Sequence, residues 1–287
     1  MTIATVGRKP VDPQTAPLGL LLVGTVLAVL FVGINFAFPD LAPTGIPTIV
    51  TRAVIHAAIL GGLWLGLLRT DFSPGRRAAV WLAIAVPFTL WLAVVWDIAI
   101  SGGFQPIPGL VRIPRLPIAI FAPVIVGVLL LTFSKRIGTL LDAMPASWLV
   151  GLQVYRVFGG IFLVAWTRGT APGVFALPAG IGDLLTGIAA LSVAGLVASR
   201  SPNGWRAAMM WNLFGLADFA IAITTGALSS PGPLQILNLD GPVSQVGAYP
   251  TVMIPAFGVP SSILLHALSI RQLLRIRKRA RSGPSIA

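Results

Sequence analysis

Eight long apolar segments fill most of the sequence, and they limit the folds that the chain can adopt. Each is close to the length of about 20 residues that an α-helix needs to cross a bilayer. A helix satisfies its backbone hydrogen bonds internally, and the alternating pattern of a membrane β-barrel is absent from the sequence. The sequence therefore predicts an all-α polytopic integral membrane protein, a bundle of eight transmembrane helices. We number the segments 1–8, over residues 18–37, 47–68, 78–100, 116–134, 148–167, 178–199, 205–226 and 250–270.

Composition leaves no room for a soluble domain beside this bundle, since the 287 residues are 56% hydrophobic and only 10% charged. We divide the chain into an N-terminal tail at 1–17, a transmembrane domain at 18–270 and a basic tail at 271–287. No cysteine is present, which excludes disulfides and thiolate metal sites, and no cofactor is predicted. Prolines within segments 4 and 8 predict that these helices are kinked or begin later. They are Pro117, Pro123, Pro255 and Pro260.

The positive charges predict how the segments are oriented. Of the 20 Lys and Arg residues, 15 fall on the side of both termini. Only three, Arg112, Arg115 and Arg168, fall on the other side. By the positive-inside rule both termini are then cytoplasmic, and the opposite loops face outward. We expect a multi-pass protein in a cell membrane of the bacterial inner-membrane type.

These topology signals account for the net charge of +12 without nucleic-acid binding. The tail from Arg271 is expected to extend segment 8 as a short helix at the cytoplasmic headgroups. Its basic residues predict that it binds the lipid bilayer through anionic headgroups. On the outer side, residues 227–249 form the longest loop, for which a lid and a disordered loop are both open alternatives.

Polar and ionisable residues inside the apolar segments are the candidates for function, because charge in lipid is costly. With a helical rise of about 1.5 Å per residue, they fall in the outer half or near the midplane. We predict that they face the bundle interior as one polar cluster that binds a small molecule or ion. They are Arg52, His56, Asp97, Arg156, Asp183, Asn212 and Asp218. His266 falls near the cytoplasmic end of segment 8 and is assigned to the headgroup interface.

Within this cluster, Arg156 is expected to pair with Asp183 or Asp218, because short loops join segments 5, 6 and 7. Small residues recur at helical spacing around Asp183, which predicts that segment 6 packs closely against its neighbours. They are Gly180, Gly187, Ala190 and Ala194.

The stretch Gly180-Ile181-Gly182-Asp183 spells G-x-G-D and resembles the signature of intramembrane aspartyl proteases such as presenilin and the prepilin peptidases. The resemblance implies a hydrolase in which two aspartates act as acid and base. Those families have the second aspartate on an earlier helix, where this chain has Tyr155-Arg156. Asp218, on a later segment, is the remaining candidate partner, and the Pro-Ala-Leu element of the families is missing from this sequence.

Three functions stay open from the sequence. The first, which we favour, is binding or translocation of a small solute or protons through the polar cluster. The second is an intramembrane aspartyl-type hydrolase that uses Asp183 and Asp218 as an acid–base pair. The third is a structural or accessory subunit whose buried charges fix the helix register. No residue is assigned as catalytic, and an enzyme is the less favoured class. No metal site is predicted, because His56 and His266 fall at opposite depths of distant segments.

Overall fold

The computed structural model describes residues 15–105, 115–231, 234–241 and 245–282. Within these ranges the chain is all-helical and has no strand. Most of the predicted N-terminal tail, the outer-side Arg112, parts of the 227–249 loop and the last residues of the basic tail lie outside the described residues. The helices are α1 (Thr15–Ala37), α2 (Ile46–Leu68), α3 (Pro74–Ile100), α4 (Arg115–Phe133), α5 (Lys135–Ala143), α6 (Ala146–Gly151), α7 (Ile161–Thr167), α8 (Gly173–Ala198), α9 (Gly204–Ser229) and α10 (Val259–Ser282).

Eight helical stretches of the described chain are long and apolar enough to cross a membrane, which confirms the predicted number of segments. Large apolar side chains cover their outer surfaces; Leu22 and Leu30 of α1, for example, are 64% and 55% exposed. A continuous apolar surface of this extent is unfavourable in water and is typical of helices that contact lipid. The orientation of the helices across a bilayer stays a prediction.

Helix α8 packs against α1, α6, α7 and α9. The predicted small-residue face of α8 is buried, and glycine or alanine there allows neighbouring backbones to approach closely. The buried members of this face are Gly180, Asp183, Gly187, Ala190 and Ala194. On α9, Trp211, Gly215 and Asp218 are buried on the facing side. Asp218 thus lies against Gly182 at the α8–α9 contact, whereas Asp183 lies against Gly159 of segment 5.

Segment 5 differs from the single helix that its apolar length predicts. A 3-10 helix at Leu152–Gly160 separates α6 from α7 within the span Ala146–Thr167. A 3-10 helix is narrower than an α-helix, and it is used in short pieces where neighbouring elements constrain the backbone. Gly159 and Gly160 end this piece against Asp183 and Leu184 of α8, so the tight stretch lies at a close contact between the two elements.

Segment 8 begins later than predicted. A π-helical turn at Ile254–Gly258 leads into α10, which continues to Ser282. Pro255 and Pro260 lie near the start of this helical stretch, where a missing backbone N–H is tolerated. The predicted helical extension of the basic tail is confirmed as far as Ser282, because α10 continues through Arg271 without a break. As a consequence, His266 lies well inside the helical stretch rather than near its end.

A short amphipathic helix, α5, closes the bundle at the end opposite the 227–249 loop, where the sequence predicts only a connecting loop. Ser134 caps it, since its Oγ accepts a hydrogen bond of 3.4 Å from the Ile137 backbone N–H. Asp142 pairs with Arg275 and Arg279 of α10, and Arg275 Nε donates to Asp142 Oδ1 at 2.8 Å. The hydrogen bond from Arg275 lowers the pKa of Asp142 below its ordinary value. The ion pairs of Asp142 therefore stabilise the contact between α5 and α10.

Candidate functional site

The candidate site is built around the guanidinium of Arg156, which the 3-10 helix positions in the middle of the bundle. The Arg156 side chain is 1% exposed. Its Nε donates to Asp183 Oδ1 at 2.7 Å, and its Nη2 lies 2.7 Å from the same oxygen. The same Nη2 also donates to Asp218 Oδ2. One arginine therefore joins both predicted aspartates, so that the pair expected from the sequence is a triad.

The third guanidinium nitrogen of Arg156, Nη1, also has hydrogen-bond partners. Nη1 donates to the Gly215 carbonyl at 3.2 Å and lies 3.1 Å from His266 Nε2. The guanidinium carbon lies 3.8 Å from the centre of the Phe219 ring, a cation–π contact in a desolvated setting. Each of the three guanidinium nitrogens therefore has at least one acceptor. Complete pairing of this kind is what makes a buried arginine tolerable.

His266 belongs to this cluster, and its assignment to the headgroup interface is wrong. It is fully buried, with an exposed fraction of 0%. Since Arg156 can only donate, His266 Nε2 is an acceptor, and the ring proton is assigned to Nδ1. Nδ1 then donates to Asn212 Oδ1 at 2.9 Å, and Asn212 Nδ2 donates to Ser269 Oγ at 3.0 Å. The network thus holds His266 neutral in one tautomer and orients Asn212.

Glycines make the close approach of these charged groups possible. A Cβ built at Gly159 would overlap the Asp183 carboxylate, and one at Gly182 would overlap the Asp218 carboxylate. A Cβ at Gly215 would lie 2.5 Å from His266 Nε2. Gly182, which belongs to the G-x-G-D stretch, therefore has a packing role here: it makes room for the aspartate of the neighbouring helix.

Arg52 belongs to the lining of two cavities. The deep cavity, of about 20 Å³, is lined by Arg52, Tyr155, Arg156, Asp183 and Ser262 among others. Its walls are fixed in part by a 2.6 Å hydrogen bond between the Tyr155 hydroxyl and Ser262 Oγ. A volume of this size holds about one water.

The shallow cavity, of about 50 Å³, is lined by Asn35, Thr48, Thr51, Arg52 and Pro250 among others. It lies where the α1–α2 connection and residues 250–251 come together, at the end of the bundle that the charge pattern predicts to face outward. Because Arg52 lines both cavities, its side chain lies between this end of the bundle and the cavity that Arg156 and Asp183 line.

Arg52 differs from Arg156 in its pairing. It is 5% exposed, yet it forms no ion pair with any residue that the structure describes. Its Nε is buried without a hydrogen-bond partner in the described part of the chain. Gly258 allows its guanidinium to fit, since a Cβ there would lie 2.6 Å from Arg52 Nη1.

Two of the seven sequence candidates lie outside the cluster, so the prediction of a single cluster is wrong for them. His56 lies at the α2–α3 contact, where Nε2 is 3.0 Å from Thr89 Oγ1 and the ring stacks on Phe88. Asp97 is exposed near the end of α3. Counting residues along a helix gives the depth of a side chain but not its direction. The structure brings together the other five, which are Arg52, Arg156, Asp183, Asn212 and Asp218.

Sequence reasoning missed His266, Tyr155 and Ser262 as site residues. A signal for His266 was present, since Pro255 and Pro260 are typical of a helix start and so move the residue toward mid-helix. For Tyr155 and Ser262 no signal was available, because their contact joins residues 107 positions apart in the sequence.

Residues 113–274 match the model of a protein family described as Domain of unknown function (DUF8737). Since the match covers more than half of the 287 residues, the chain belongs to this family. The matched range contains Arg156, Asp183, Asp218 and His266, whereas Arg52 lies before it. No curated protein and no solved structure matches the chain.

Proposed function

We propose that this family member is a multi-pass membrane protein that binds or translocates a small solute or protons along the polar path from the shallow cavity to Arg156. The observation that supports the proposal is the pair of cavities that share Arg52 and reach Asp183. Irregular backbone inside a membrane bundle is tolerated where it lines a cavity or is buried in protein. Both the 3-10 helix and the π-helical turn contribute residues to the deep cavity.

The contacts of Arg156 and Arg52 favour a small solute over protons as the species that is bound or translocated. Arg156 donates hydrogen bonds to the carboxylates of Asp183 and Asp218 and to His266 Nε2. None of these three groups can accept and pass on a proton until its hydrogen bond to Arg156 breaks. Arg52, in contrast, has an unsatisfied donor at the junction of the cavities. A solute that binds at Arg52 meets Asp183 and Arg156 as the next charged groups on the path.

The proposal includes the orientation expected from the charge pattern. The shallow cavity faces outward, both termini are cytoplasmic, and the protein resides in a cell membrane of the bacterial inner-membrane type. Exposed basic residues in the last turns of α10, such as Arg277 and Arg281, then lie at the cytoplasmic headgroups. There they bind anionic lipid, because each basic residue near such a surface contributes roughly 1 kcal/mol.

Solute flux into proteoliposomes tests the proposal. Stopped-flow light scattering after an osmotic shift measures entry of urea, acetate and glycolate, and a trapped pH dye reports protons. We expect wild-type protein to accelerate at least one probe over protein-free liposomes, and Asp183→Asn with Asp218→Asn to abolish the acceleration. Asp97→Asn is the matched control, since it makes the same chemical change on an exposed residue outside the cluster. Equal flux in the double variant and the wild type would overturn the proposal.

A structural or accessory role is the second candidate, and the complete pairing of Arg156 favours it. All three guanidinium nitrogens of this arginine have acceptors within the protein, as expected of a network that fixes helix register. In that case the double aspartate variant inserts with reduced stability while no probe distinguishes it from the wild type. The hydrolase hypothesis needs two carboxylates that share a proton, and it receives no support from a geometry in which Arg156 pairs with both.

A further inference from the structure

We propose that the shallow cavity is a binding site for a small oxyanion that also has a hydroxyl or amino hydrogen, with Arg52 as the cationic partner and Asn35 as the acceptor. This inference rests on the proposed function and names the chemical class of its solute. It is carried by two buried polar groups that line one cavity and lack partners.

The first of these groups is the Arg52 guanidinium. Arginine stays protonated at any physiological pH, and burial of a cation without a partner is costly. Asp183, which lines the deep cavity with Arg52, is already engaged by Arg156 at 2.7 Å. Arg52 and Asp183 are more than 4.0 Å apart, since no ion pair joins them. Arg52 therefore lacks a direct counter-ion among the described residues, and an anion in the cavity supplies one.

The second group is the side-chain amide of Asn35, which is 3% exposed. Its Nδ2 donates to the Phe31 carbonyl at 2.8 Å, and this bond fixes which amide atom is the oxygen. Asn35 Oδ1 is consequently an acceptor, and it has no hydrogen-bond partner in the described part of the chain. An acceptor of this kind requires an O–H or N–H from the ligand. A cation and a free acceptor on one cavity wall select a ligand that has both functions.

The cavity volume limits the size of the ligand. Since a water occupies at least about 10–15 Å³ by the same measure, about 50 Å³ holds roughly three to five water-sized groups. Glycolate and bicarbonate are of this size and have both an anionic oxygen and a hydroxyl. Acetate matches glycolate except for the hydroxyl, and gluconate is too large for the cavity. These anions form a graded set of probes.

Isothermal titration of the purified full-length protein in detergent tests the assignment. Sodium glycolate and sodium acetate are titrated separately, with sodium gluconate at equal ionic strength as the reference. We expect saturable binding of glycolate, and about five- to tenfold weaker binding of acetate because it lacks one hydrogen bond. Absence of saturable binding of either anion means that the cavity holds water only, and this result overturns the proposal. Equal affinities for glycolate and acetate overturn the role of Asn35.

Two variants measure the contributions of Arg52 and Asn35 to anion binding separately. Arg52→Gln is expected to weaken both anions at least roughly tenfold, the loss expected when a charge-assisted contact is removed. It should also unfold no more easily than wild type, because it removes an unpaired buried cation and leaves no carboxylate unpaired. Asn35→Ala is expected to bind glycolate and acetate equally. Arg76→Gln, the same change at an exposed arginine, serves as the control and keeps wild-type affinities. Wild-type affinity in Arg52→Gln refutes the site.

The test separates this inference from the proposed function. Accelerated entry of urea into proteoliposomes without anion binding contradicts the oxyanion site alone. Anion binding that depends on Arg52, without flux of any probe, supports a binding protein and contradicts translocation.

Discussion

Removal of the Arg156 charge is the perturbation for which the structure gives the clearest magnitude. Arg156→Met keeps most of the side-chain volume but deletes five N–H donors and leaves the carboxylates of Asp183 and Asp218 without their cation. Breaking a buried ion pair by deleting one partner costs about 3–5 kcal/mol. Since two carboxylates lose their partner here, we expect about 5 kcal/mol, a decrease of roughly three to four decades in the folding equilibrium constant.

A variant that also neutralises the two aspartates tests whether unpaired charge causes the loss of stability. Asp183→Asn and Asp218→Asn, added to Arg156→Met, neutralise the whole triad and should recover most of the lost stability, because no unpaired charge is left. The assay is equilibrium unfolding in mixed micelles, followed by tryptophan fluorescence, with membrane insertion checked first. Stability of Arg156→Met within about 1 kcal/mol of wild type would refute the argument that the buried charges of the triad compensate one another. A triple variant no more stable than Arg156→Met would refute it as well.

Two further predictions concern packing and pH. Gly182→Ala forces the Asp218 carboxylate to move and should cost about 1–3 kcal/mol of unfolding free energy. Gly62→Ala is the control, since beyond the backbone of its own helix and its chain neighbours no atom lies within 4 Å of the added methyl group, and it should be neutral or stabilising by up to about 1 kcal/mol. Equal losses in both would contradict the assigned role of Gly182. Asp142, whose pKa is lowered by Arg275, stabilises the fold above its ordinary pKa of 3.8, and this contribution is lost as pH falls through the lowered value. Asp142→Asn should therefore lower the melting temperature at pH 7, by an amount worth about 1 kcal/mol or less, and the difference from wild type should vanish in acid. A difference that persists unchanged at pH 2 would contradict this assignment.

The number and approximate limits of the membrane-length helices could be predicted from the sequence because apolar length is a local property. Depth along each helix was also available, and it placed Arg156, Asp183 and Asp218 in the outer half or near the midplane. The direction in which a side chain points depends on which helices are neighbours. That information was missing for His56 and Asp97, which lie outside the cluster.

Local backbone departures explain most of the remaining differences. The 3-10 helix at Leu152–Gly160 packs against α8, a contact that apolar periodicity cannot show. The late start of α10 places His266 beside Arg156, and a boundary error of a few residues was enough to assign it to the wrong environment. Gly182 belongs to the stretch that resembles a catalytic signature. In the structure, its lack of a Cβ leaves room for the Asp218 carboxylate. In each case the deciding contact joins residues far apart in the sequence.

The central claim is that a water-accessible polar path leads from the predicted outer end to the Arg156 cluster. The chain has no cysteine, so single cysteines can be introduced without background labelling. The decisive measurement is the reaction of Ser262→Cys, in the wall of the deep cavity, with Ag⁺, a thiol-reactive ion of about the size of a water molecule, added from outside to intact cells. Thr51→Cys in the shallow cavity and Leu30→Cys on the apolar outer surface of α1 are the positive and negative controls. We predict that Thr51→Cys and Ser262→Cys are both modified while Leu30→Cys is not. An unreactive Ser262→Cys, which is labelled fully only after denaturation, would contradict the account and show that the arginine cluster is a sealed structural network.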